Sequence, residues 1–373
     1  MKEKRSGQKN VGLIFGTRPE IIKLSPIIRF LEKSKHRYFL LHTGQHYSYE
    51  MDKLFFEELE LPEPKYKLSV HLTPSIGHGH HTGRMLASVE EILQKEKPSV
   101  VMVQGDTNSV LAGALVAAKL SGVKVAHVEA GLRSYDRQMP EEINRVIADH
   151  LSDYLFAPTT LSKQILLKEG IKPNKIWVTG NTIVDALNQN LKIAQKGHRS
   201  LPYGLRKEEP FFLMTLHRQE NVDDKSRFAS ILEGLGRVIR HFKRPLIFPA
   251  HPRTVKMIKH FGMSLPEDLR LVEPVGFLDF LRLEAAAELI LTDSGGVQEE
   301  ACILRVPCVT LRTTTERPET VDAGGNVIAG YEPEKILKAA KRMAAKKRQW
   351  KNPFGDGRAA ERIVQISSAR SHL

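Results

Sequence analysis

Residues 289–304, LILTDSGGVQEEACIL, decide the fold class of this chain. The apolar run at 289–292 predicts a buried strand and the pattern at 297–304 predicts a helix, with a Ser-Gly-Gly turn between them. Such a turn exposes backbone N–H groups at the positive end of a helix, which suits a phosphate group. The stretch is therefore predicted to be a βα unit with a candidate anion site.

The same alternation of short apolar runs and longer helical patterns extends through the chain. In the first half the predicted strands are residues 11–16, 38–43, 100–104, 125–128, 154–157 and 176–179. In the second half they are residues 211–216, 246–249, 271–272, 289–292 and 306–311. Helical patterns include residues 20–33, 83–95, 109–120, 226–241 and 297–304. Two such series predict an α/β protein with two doubly wound, Rossmann-like domains facing a central cleft.

The two predicted domains are residues 1–190 and residues 191–354. The seam is placed at residues 192–209, a polar stretch that contains two glycines and a proline. Ligands of doubly wound folds bind outside the carboxyl ends of the strands. Residues that directly follow strands are therefore the candidates for chemistry.

Charge and composition limit the classes of partner. The 373 residues carry a formal net charge of +13, which suits either a nucleic acid or a ligand with a diphosphate. Because Lys and Arg alternate with Glu along the chain, we predict no nucleic-acid partner. No apolar run approaches the roughly 18 residues of a membrane span, and the N-terminal apolar stretch is too short for a signal peptide. Cys302 and Cys308 lie in apolar stretches and are predicted to be reduced, which favours a cytoplasmic protein without a membrane partner.

The first predicted strand leads into Gly16-Thr17-Arg18-Pro19-Glu20. Gly16 permits a tight turn and Pro19 suits the first turn of a helix, so Arg18 is predicted to point into the cleft; a surface salt bridge is the alternative. This is not the G-x-G-x-x-G fingerprint of dinucleotide-binding folds. The Gly-Leu-Gly at residues 234–236 falls inside a predicted helix and lacks the third glycine. The sequence therefore predicts no NAD and no other cofactor.

Three carboxylate sites follow strands or open a helix in the first half of the chain. Asp106 follows the strand at 100–104 and Glu129 follows the strand at 125–128, while Glu141 and Glu142 open a helix just after Pro140. Each acid alone is also explained as a helix cap, as a partner of the helix dipole or as a metal ligand. If the two strands are neighbours, Asp106 and Glu129 lie side by side. The three carboxylate sites then converge on one cleft as general acid–base candidates.

The second half places histidines, the phosphate-type turn and a cation after its strands. His217 follows the strand at 211–216 and is a candidate proton carrier or phosphate contact, with a structural histidine as the alternative. His251 follows the next strand in the same way. The other candidates are Ser294, Gly295 and Gly296 at the phosphate turn, Glu300 on the next helix for ribose hydroxyls, and Arg317 as a cation at a later turn.

His78, His80 and His81 form a cluster that looks like a metal site at first sight. They lie in a glycine-rich stretch without matching cysteine or acid spacing. We therefore predict a mobile loop at these residues and no bound metal.

Taken in order, these motifs closely resemble the non-hydrolysing UDP-N-acetylglucosamine 2-epimerases. The matching segments are residues 16–20, 105–107, 128–133, 140–145, 217–221, 251–253, 293–300 and 315–319, and the resemblance extends from about residue 11 to residue 330. It implies the two-domain fold of GT-B glycosyltransferases, with a UDP-binding second domain. It also implies a C-terminal helix, here within residues 355–373, that returns to the first domain, and a homodimer.

The resemblance also assigns roles to residues. It implies that the catalytic residues are Asp106, Glu129, Glu141 and His217. It implies nucleotide contacts from Arg18 and Lys23 in the first domain, and from Ser294, Gly295, Gly296, Glu300 and Arg317 in the second. It places the uracil near Val275 and Phe280, and it gives His251 a supporting role.

One departure from the family concerns a second ligand site. Bacterial members bind a second UDP-GlcNAc as an activator, partly through a Gln-His-Arg segment and a loop that carries Gln and Arg. Here Gln45 and His46 are followed by Tyr47 and Ser48, and the later loop reads IGHGHH at residues 76–81. The match therefore extends to the catalytic cleft and not to the activator site.

The expected reaction is the interconversion of UDP-GlcNAc and UDP-ManNAc. The hydrogen at C2 is not α to a carbonyl, so the available routes are transient oxidation by NAD or loss of UDP to give 2-acetamidoglucal. A diphosphate turn without a dinucleotide fingerprint favours elimination. The alternatives are a hydrolysing epimerase that releases ManNAc and UDP, a GT-B glycosyltransferase, and a non-catalytic UDP-sugar sensor. A sensor has no need of three carboxylates around a sugar.

Overall fold

The computed structural model of the chain describes residues 9–45, 49–68, 70, 77–196, 200–206 and 209–369. The chain divides into two compact units, of which the first contains Met1–Gln189 and Phe354–Leu373 and the second contains Asn190–Pro353. The first boundary falls inside a helix that continues to Gln195, ahead of the seam predicted at 192–209. The polar composition of that stretch does not reveal that Leu201 and Leu205 within it are buried in an apolar cluster of the second unit.

The first unit is built on a seven-stranded parallel sheet. Its strands are β1 (Asn10–Phe15), β2 (Arg37–His42), β3 (Tyr66–Lys67), β4 (Val100–Gln104), β5 (Lys124–Val128), β6 (Tyr154–Ala157) and β7 (Ile176–Val178). Its helices are α1 (Arg18–Lys33), α2 (Tyr49–Glu58), α3 (His78–Glu96), α4 (Asn108–Lys119), α5 (Pro140–Leu151), α6 (Thr160–Lys168) and α7 (Thr182–Gln195). The strand order is β3-β2-β1-β4-β5-β6-β7.

The second unit is built on a six-stranded parallel sheet. Its strands are β8 (Phe212–Thr215), β9 (Leu246–Pro249), β10 (Leu269–Val272), β11 (Leu289–Thr292), β12 (Cys308–Thr310) and β13 (Asn326–Ile328). Its helices are α8 (Gln219–Val222), α9 (Lys225–Phe242), α10 (Pro252–Phe261), α11 (Phe277–Ala286), α12 (Gly295–Leu304), α13 (Pro318–Asp322) and α14 (Pro333–Ala344). The strand order is β10-β9-β8-β11-β12-β13. Two doubly wound α/β sheets are therefore present, which confirms the predicted fold class.

The strand order of each sheet reverses at one point. β1 pairs with both β2 and β4, and β8 pairs with both β9 and β11. Ligands of doubly wound sheets bind at such switch points, outside the carboxyl ends of the strands. The loops after β1, β4, β8 and β11 are the ones that hold Arg18, Asp106, His217 and Ser294.

The turn after β1 depends on a glycine for packing. A Cβ atom at Gly16 would lie 2.1 Å from the Thr43 hydroxyl oxygen and 2.4 Å from the Ser109 hydroxyl oxygen. Both distances are far below van der Waals contact, so no larger residue fits between the ends of β1, β2 and α4. The close approach brings the loop after β1 against the helix that follows β4.

The Gly-Leu-Gly of α9 serves helix packing. A Cβ atom at Gly234 would lie 2.8 Å from the Ile336 side chain of α14. The small residue lets α9 and α14 approach closely over their shared apolar core. This placement agrees with the prediction that the segment is helical and is not a dinucleotide turn.

The histidine-rich segment is a helix start, and the prediction of a mobile loop there was wrong. α3 begins at His78, with Gly77 as its N-cap residue. The His81 side chain is 1% exposed, and its Nε2 lies 2.7 Å from the Val70 carbonyl oxygen. Burial of this side chain and helix hydrogen bonding outweigh the local preference of glycine for loops. Among the residues that the structure describes, no group of three or more His, Cys, Asp or Glu side chains is arranged to hold a metal ion.

The C-terminal helix α15 (Ala359–Ser368) belongs to the first unit and packs against α1. The buried Asp185 carboxylate accepts the backbone N–H groups of Ala359 at 3.2 Å and Ala360 at 3.1 Å. A carboxylate at the N-terminus of a helix satisfies orphan donors and complements the helix dipole.

None of the described helices is long and apolar enough to cross a membrane.

Candidate active site

Asp106 and Glu129 follow neighbouring strands. β4 and β5 run parallel, and Gln104, the last residue of β4, is in register with Val128, the last residue of β5. The Gly105 N–H donates to the Val128 carbonyl at 3.1 Å, which ties the two strand ends together. The condition on which the sequence argument depended, adjacency of the two strands, is confirmed.

Glu129 is a buried carboxylate held by a lysine and an amide. The residue is 7% exposed, and Lys23 Nζ of α1 lies 2.6 Å from both of its carboxylate oxygens. The Gln104 side-chain amide also donates to Glu129 Oε2. Its backbone lies in the left-handed region at φ 70°, which costs energy for a residue with a Cβ. The strained backbone aims the carboxylate at Lys23.

Asp106 lies in the loop between β4 and α4 and is bonded from α5. Arg145 Nη2 donates to the Asp106 carboxylate, and the Asn144 amide donates to the Asp106 carbonyl at 3.0 Å. The Asp106 side chain stays 32% exposed while Arg145 is 12% exposed. α5 therefore fixes both the backbone and the side chain of Asp106 and leaves the carboxylate accessible.

Glu141 and Glu142 occupy the first turn of α5 but have different surroundings. Glu141 is exposed, and it lies four residues before Arg145, hence on the same helix face. Glu142 is 4% exposed and accepts the N–H groups of Ser134 at 2.9 Å and Tyr135 at 3.0 Å. Burial alone would raise the pKa of Glu142, but these donors and Arg145 hold it below its ordinary value. Glu142 orders the preceding loop, whereas Glu141 is open to a ligand.

Glu20 joins the loops after β1 and β4. It is 2% exposed, and its carboxylate accepts the Gly16 N–H at 2.9 Å and the hydroxyls of Thr17 and Thr107 at 2.8 Å each. Burial raises the pKa of Glu20 to about 7, against the opposing effect of these donors. A Thr three residues before a Glu is the pattern of a capping box, and here the Glu also reaches Thr107, next to Asp106.

His127, on β5, is a buried imidazolium that contacts the loop after β4. Its Nδ1 lies 2.7 Å from Asp149 Oδ1 and its Nε2 lies 2.8 Å from the Gly105 carbonyl oxygen. Neither partner donates a proton when Asp149 is ionised, so both ring nitrogens must donate. Burial alone would lower the pKa of His127, but Asp149 and the Gly105 carbonyl raise it. The charged ring holds the backbone that precedes Asp106.

In the second unit, His217 is oriented by Asp293. The His217 side chain is 47% exposed, and its Nδ1 lies 3.1 Å from Asp293 Oδ1. Asp293 is 0% exposed and also accepts the backbone N–H groups of His217 and Arg218 and the Asn221 amide. A carboxylate at Nδ1 fixes the ring and leaves Nε2 for a ligand or a proton.

The Ser-Gly-Gly turn forms the N-terminus of α12. Ser294 is the N-cap residue, and its hydroxyl accepts the Val297 N–H at 3.4 Å. Neither Gly295 nor Gly296 has a positive φ, and an added Cβ would meet its nearest protein atom at 3.6 Å and 3.8 Å, respectively. Neither the backbone nor the packing requires glycine there. The missing side chains leave the N–H groups of the helix open to an anion.

Arg317, at the N-cap position of α13, contacts the helix that begins at this turn. Its Nε lies 3.1 Å from Glu299 Oε1 and its Nη1 donates to the Glu316 carbonyl at 3.2 Å. The Glu316 carboxylate is bound by both terminal nitrogens of Arg312 at 2.7 Å and 3.0 Å. Burial alone would raise the pKa of Glu316, but Arg312 lowers it to about 2. Two cations and an ionised acid therefore line this corner.

The residues assigned to the nucleoside lie around α11 and α12. Val275 and Phe280 are partly buried and pack against an apolar core cluster of the second unit. Glu300, on α12, is partly exposed and faces the carboxyl group of Glu284 on α11. An aromatic ring and a partly exposed carboxylate within one corner suit a base and a ribose, respectively.

The remaining predicted residues have identified positions. Arg18 is exposed at the start of α1, and its guanidinium carbon lies 5.7 Å from the centre of the Phe55 ring. His251 caps α10, with its Nδ1 accepting the Arg253 N–H at 3.3 Å. Gln45 is 5% exposed and accepts the Ser109 N–H at 3.0 Å. Gln45 begins the segment that departs from the family's activator site. The rest of that segment, His46, Tyr47 and Ser48, lies outside the described residues, as does Ile76 of the later loop.

Several residues of these clusters were not among the predicted site residues, and three of them contact a predicted residue directly. Gln104 bonds Glu129, Arg145 bonds Asp106, and Asp293 holds His217. Each lies inside or beside a motif that the sequence analysis identified, at a strand end or one helical turn from an acid. Their position in the sequence could have identified them, because a polar residue at the carboxyl end of a buried strand is rarely there to pack in the apolar core.

Comparison with known proteins places the chain among sugar-nucleotide epimerases. A family model described as UDP-N-acetylglucosamine 2-epimerase matches residues 29–368. A UDP-N-acetylglucosamine 2-epimerase of Methanocaldococcus jannaschii is 58% identical over 362 residues, which cover 95% of this chain and 98% of that protein. The crystal structure of the M. jannaschii UDP-GlcNAc 2-epimerase in complex with UDP-GlcNAc and UDP is similar at a TM-score of 0.82 and 57% identity, covering 96% and 99% of the two chains.

A more distant relative has a different named substrate. The UDP-2,3-diacetamido-2,3-dideoxy-D-glucuronate 2-epimerase of Pseudomonas aeruginosa is 42% identical over 356 residues, which cover 94% of this chain and 97% of that protein. Like the M. jannaschii relative, this protein is named as a 2-epimerase of a UDP-linked sugar. The two names differ in the sugar.

Proposed function

Since the chain belongs to the UDP-N-acetylglucosamine 2-epimerase family, we propose that it interconverts UDP-GlcNAc and UDP-ManNAc without hydrolysis and without a redox cofactor. One observation carries the proposal: Asp106 and Glu129 follow adjacent parallel strands, and each carboxylate is bonded to a cation of the same unit. Acids held in this way suit proton transfer at carbon, which inversion at C2 requires.

The first step is an elimination. A carboxylate of the first unit removes the proton from C2, and the C–H electron pair becomes the C1–C2 double bond of 2-acetamidoglucal. The bond from C1 to the diphosphate oxygen breaks, and UDP leaves with that electron pair. The two contacts from Lys23 to Glu129 favour the ionised form that a base needs. Asp106, Glu129 and Glu141 are the candidates for this role.

The second unit supplies charge for the leaving group. UDP gains negative charge as the C1–O bond breaks, so positive groups that meet this charge lower the barrier. The N-terminus of α12 at Ser294, Gly295 and Gly296 suits one phosphate, and Arg317 is the nearby cation. His217, oriented by Asp293, is the candidate donor of a hydrogen bond or a proton.

The second step reverses the first on the opposite face of the sugar. A second acid delivers a proton to C2 and UDP adds back to C1, which gives the C2 epimer. The step needs no water, and water entering the site would yield free sugar and UDP. Asp106, Glu129 and Glu141 are the candidates for this acid as well as for the base.

The competing functions have less support. The family match and the 58% identical relative favour an epimerase over a glycosyltransferase or a sensor. A different UDP sugar with an acetamido group at C2 is the second candidate substrate, because the 42% identical relative is named for such a sugar. The homodimer and the cytoplasmic location stay predictions.

Product analysis tests the proposed function. Purified protein incubated with UDP-GlcNAc is expected to form UDP-ManNAc, and protein started from UDP-ManNAc is expected to reach the same ratio of the two, since a reversible isomerisation has one equilibrium. Anion-exchange chromatography separates nucleotide sugars from free UDP. Release of ManNAc and UDP in equal amounts would identify a hydrolysing enzyme. No change in UDP-GlcNAc, together with turnover of the diacetamido-glucuronate nucleotide, would move the assignment to that substrate.

A further inference from the structure

The second unit contains a buried carboxyl group that the reaction outlined above does not use. Glu284 of α11 is 0% exposed. It lies four residues after Phe280, the residue assigned to the uracil, and therefore on the same face of the helix. The two helices around it contribute Leu283, Val297 and Ala301 to one apolar cluster. An acid in such surroundings calls for an explanation, because a buried charge without a partner is costly.

The partner of Glu284 is another acid. Within the described residues, no N–H or O–H group donates to either carboxyl oxygen of Glu284. The carboxyl of Glu300 on α12 lies within hydrogen-bond reach of Glu284. Two ionised carboxylates cannot form a hydrogen bond with each other, since both only accept. The contact therefore requires a proton on one of the two.

The proton belongs to Glu284. Glu284 is fully buried, whereas Glu300 is partly exposed and can be solvated as an anion. Burial, and then repulsion from Glu300, raise the pKa of Glu284 well above its ordinary value. The Cys308 thiol on β12 also senses Glu284, and its own pKa is raised first by burial. Neither Glu300 nor Cys308 offers Glu284 a positive charge.

We propose that Glu284 is a neutral carboxylic acid that donates a hydrogen bond to the Glu300 carboxylate and positions Glu300 for the ribose hydroxyls of the uridine nucleotide. Glu284 does not touch the nucleotide and acts through Glu300. A carboxylate has about four acceptor sites, so a hydrogen bond from Glu284 does not exhaust the capacity of Glu300 to accept from hydroxyl groups. When Glu284 ionises at alkaline pH, repulsion replaces the hydrogen bond and Glu300 loses its orientation. The inference rests on the proposed function, which is what brings a ribose to Glu300.

The sign of the pH effect follows from the raised pKa. The form that binds well carries the proton on Glu284, so UDP affinity is full below the raised pKa and falls as the pH rises through it. A carboxyl group with an ordinary pKa would already be ionised across the neutral and alkaline range and would give no such fall. The part of the decrease that disappears when residue 284 cannot ionise is therefore specific to a proton held between these two acids.

The test is the affinity for UDP, measured by calorimetry from about pH 6.5 to 9.5, a range in which strongly perturbed carboxyl groups titrate. We expect wild-type affinity to fall by about tenfold across the range, the loss of one charge-assisted hydrogen bond. Glu288→Gln is the matched control. Glu288 follows α11, is partly exposed and pairs with Arg244 at 3.2 Å, so this variant should follow the wild-type profile.

Two substitutions separate the proton from the side chain. Glu284→Gln keeps an N–H donor that cannot ionise, so its affinity near neutral pH should stay within about threefold of wild type and remain flat as the wild-type affinity falls. Glu284→Leu removes the donor, so its affinity near neutral pH should be about tenfold weaker, again without the alkaline fall. Circular dichroism of each variant verifies the fold. If the leucine variant does not fold, the comparison of the glutamine variant with wild type decides alone.

The outcomes separate this inference from the proposed function. Wild type that binds UDP with the same pH profile as Glu284→Gln would overturn the role of Glu284 and leave the nucleotide site intact. A folded Glu284→Leu variant with full affinity near neutral pH would do the same. A wild-type protein that binds no UDP at any pH would overturn the proposed function and, with it, this inference.

Discussion

Asp106→Asn, Glu129→Gln and Glu141→Gln should each lower the rate of epimerisation by about 10²–10⁴-fold, the usual contribution of a general acid or base. Each amide keeps the shape of the acid and its capacity for hydrogen bonding but cannot take or deliver the proton. Affinity for UDP should change little, since the proposed contacts to uracil and diphosphate are mainly with the second unit. Initial rates from UDP-GlcNAc, with UDP affinity by calorimetry, measure both quantities.

Matched controls separate chemistry from folding. Asp153→Asn makes the same change just before β6, at the amino ends of the strands and so away from the site. There Asp153 accepts from Lys124 at 3.0 Å and from the Val125 N–H at 3.1 Å. Its rate should stay near that of wild type. Glu142→Gln should instead lower the urea midpoint, because Glu142 holds the N–H groups of Ser134 and Tyr135. Full turnover in a variant of Asp106, Glu129 or Glu141 would remove that residue from the catalytic set.

Asp293→Ala should lower the free energy of unfolding by about 3–5 kcal/mol, the usual cost of removing one partner from a buried charged cluster. Asp293 is 0% exposed and accepts the N–H groups of His217 and Arg218 and the amide of Asn221. Without the carboxylate these donors have no acceptor, and the His217 ring loses its ion pair. Urea unfolding and the epimerisation rate of the same preparation measure the loss of stability and the loss of orientation.

The stabilising effect of Asp293 depends on pH in a defined direction. Burial alone would raise the pKa of Asp293, but the His217 side chain and the N–H donors hold it below its ordinary value. The carboxylate therefore stabilises the fold at neutral pH, and this contribution is lost as the pH falls through the lowered pKa. The difference in stability between wild type and Asp293→Ala should shrink in acid.

A surface acid provides the comparison for Asp293. Asp223→Asn removes an exposed ion pair with Arg253 and should change the free energy of unfolding by less than about 1 kcal/mol. Equal urea midpoints for wild type and Asp293→Ala would show that the donors around Asp293 find other partners. The role given to this residue would then be wrong.

The strand pattern of both sheets could be predicted because buried parallel strands are continuous apolar runs. β3 and β13 were not predicted, since they contain two and three residues and are only partly buried. The start of α3 was predicted as a loop because Gly77 and Gly79 suggest one. Burial of His81 against Val70, which no local pattern shows, fixes the helix instead.

The sequence could indicate which positions are candidates for the site, but not which side chains contact each other. Residues that directly follow strands were candidates because polar side chains there do not contribute to apolar packing. The contacts that define their chemistry join residues far apart in the chain, such as Lys23 with Glu129. Single-sequence reasoning could not choose between Glu141 and Glu142, which differ in burial. The pairing of Glu284 with Glu300 was hidden for the same reason.

The central claim is that C2 is deprotonated and UDP leaves during every inversion, and incorporation of solvent deuterium tests it most directly. UDP-GlcNAc incubated with the protein in D2O should give UDP-ManNAc that carries deuterium at C2, because the proton delivered to the glucal comes from a group in exchange with solvent. Mass spectrometry gives the extent of labelling, and the C2 proton signal in NMR gives its position. Product that retains the original hydrogen at C2 would contradict the elimination and require a mechanism in which that hydrogen never leaves the site.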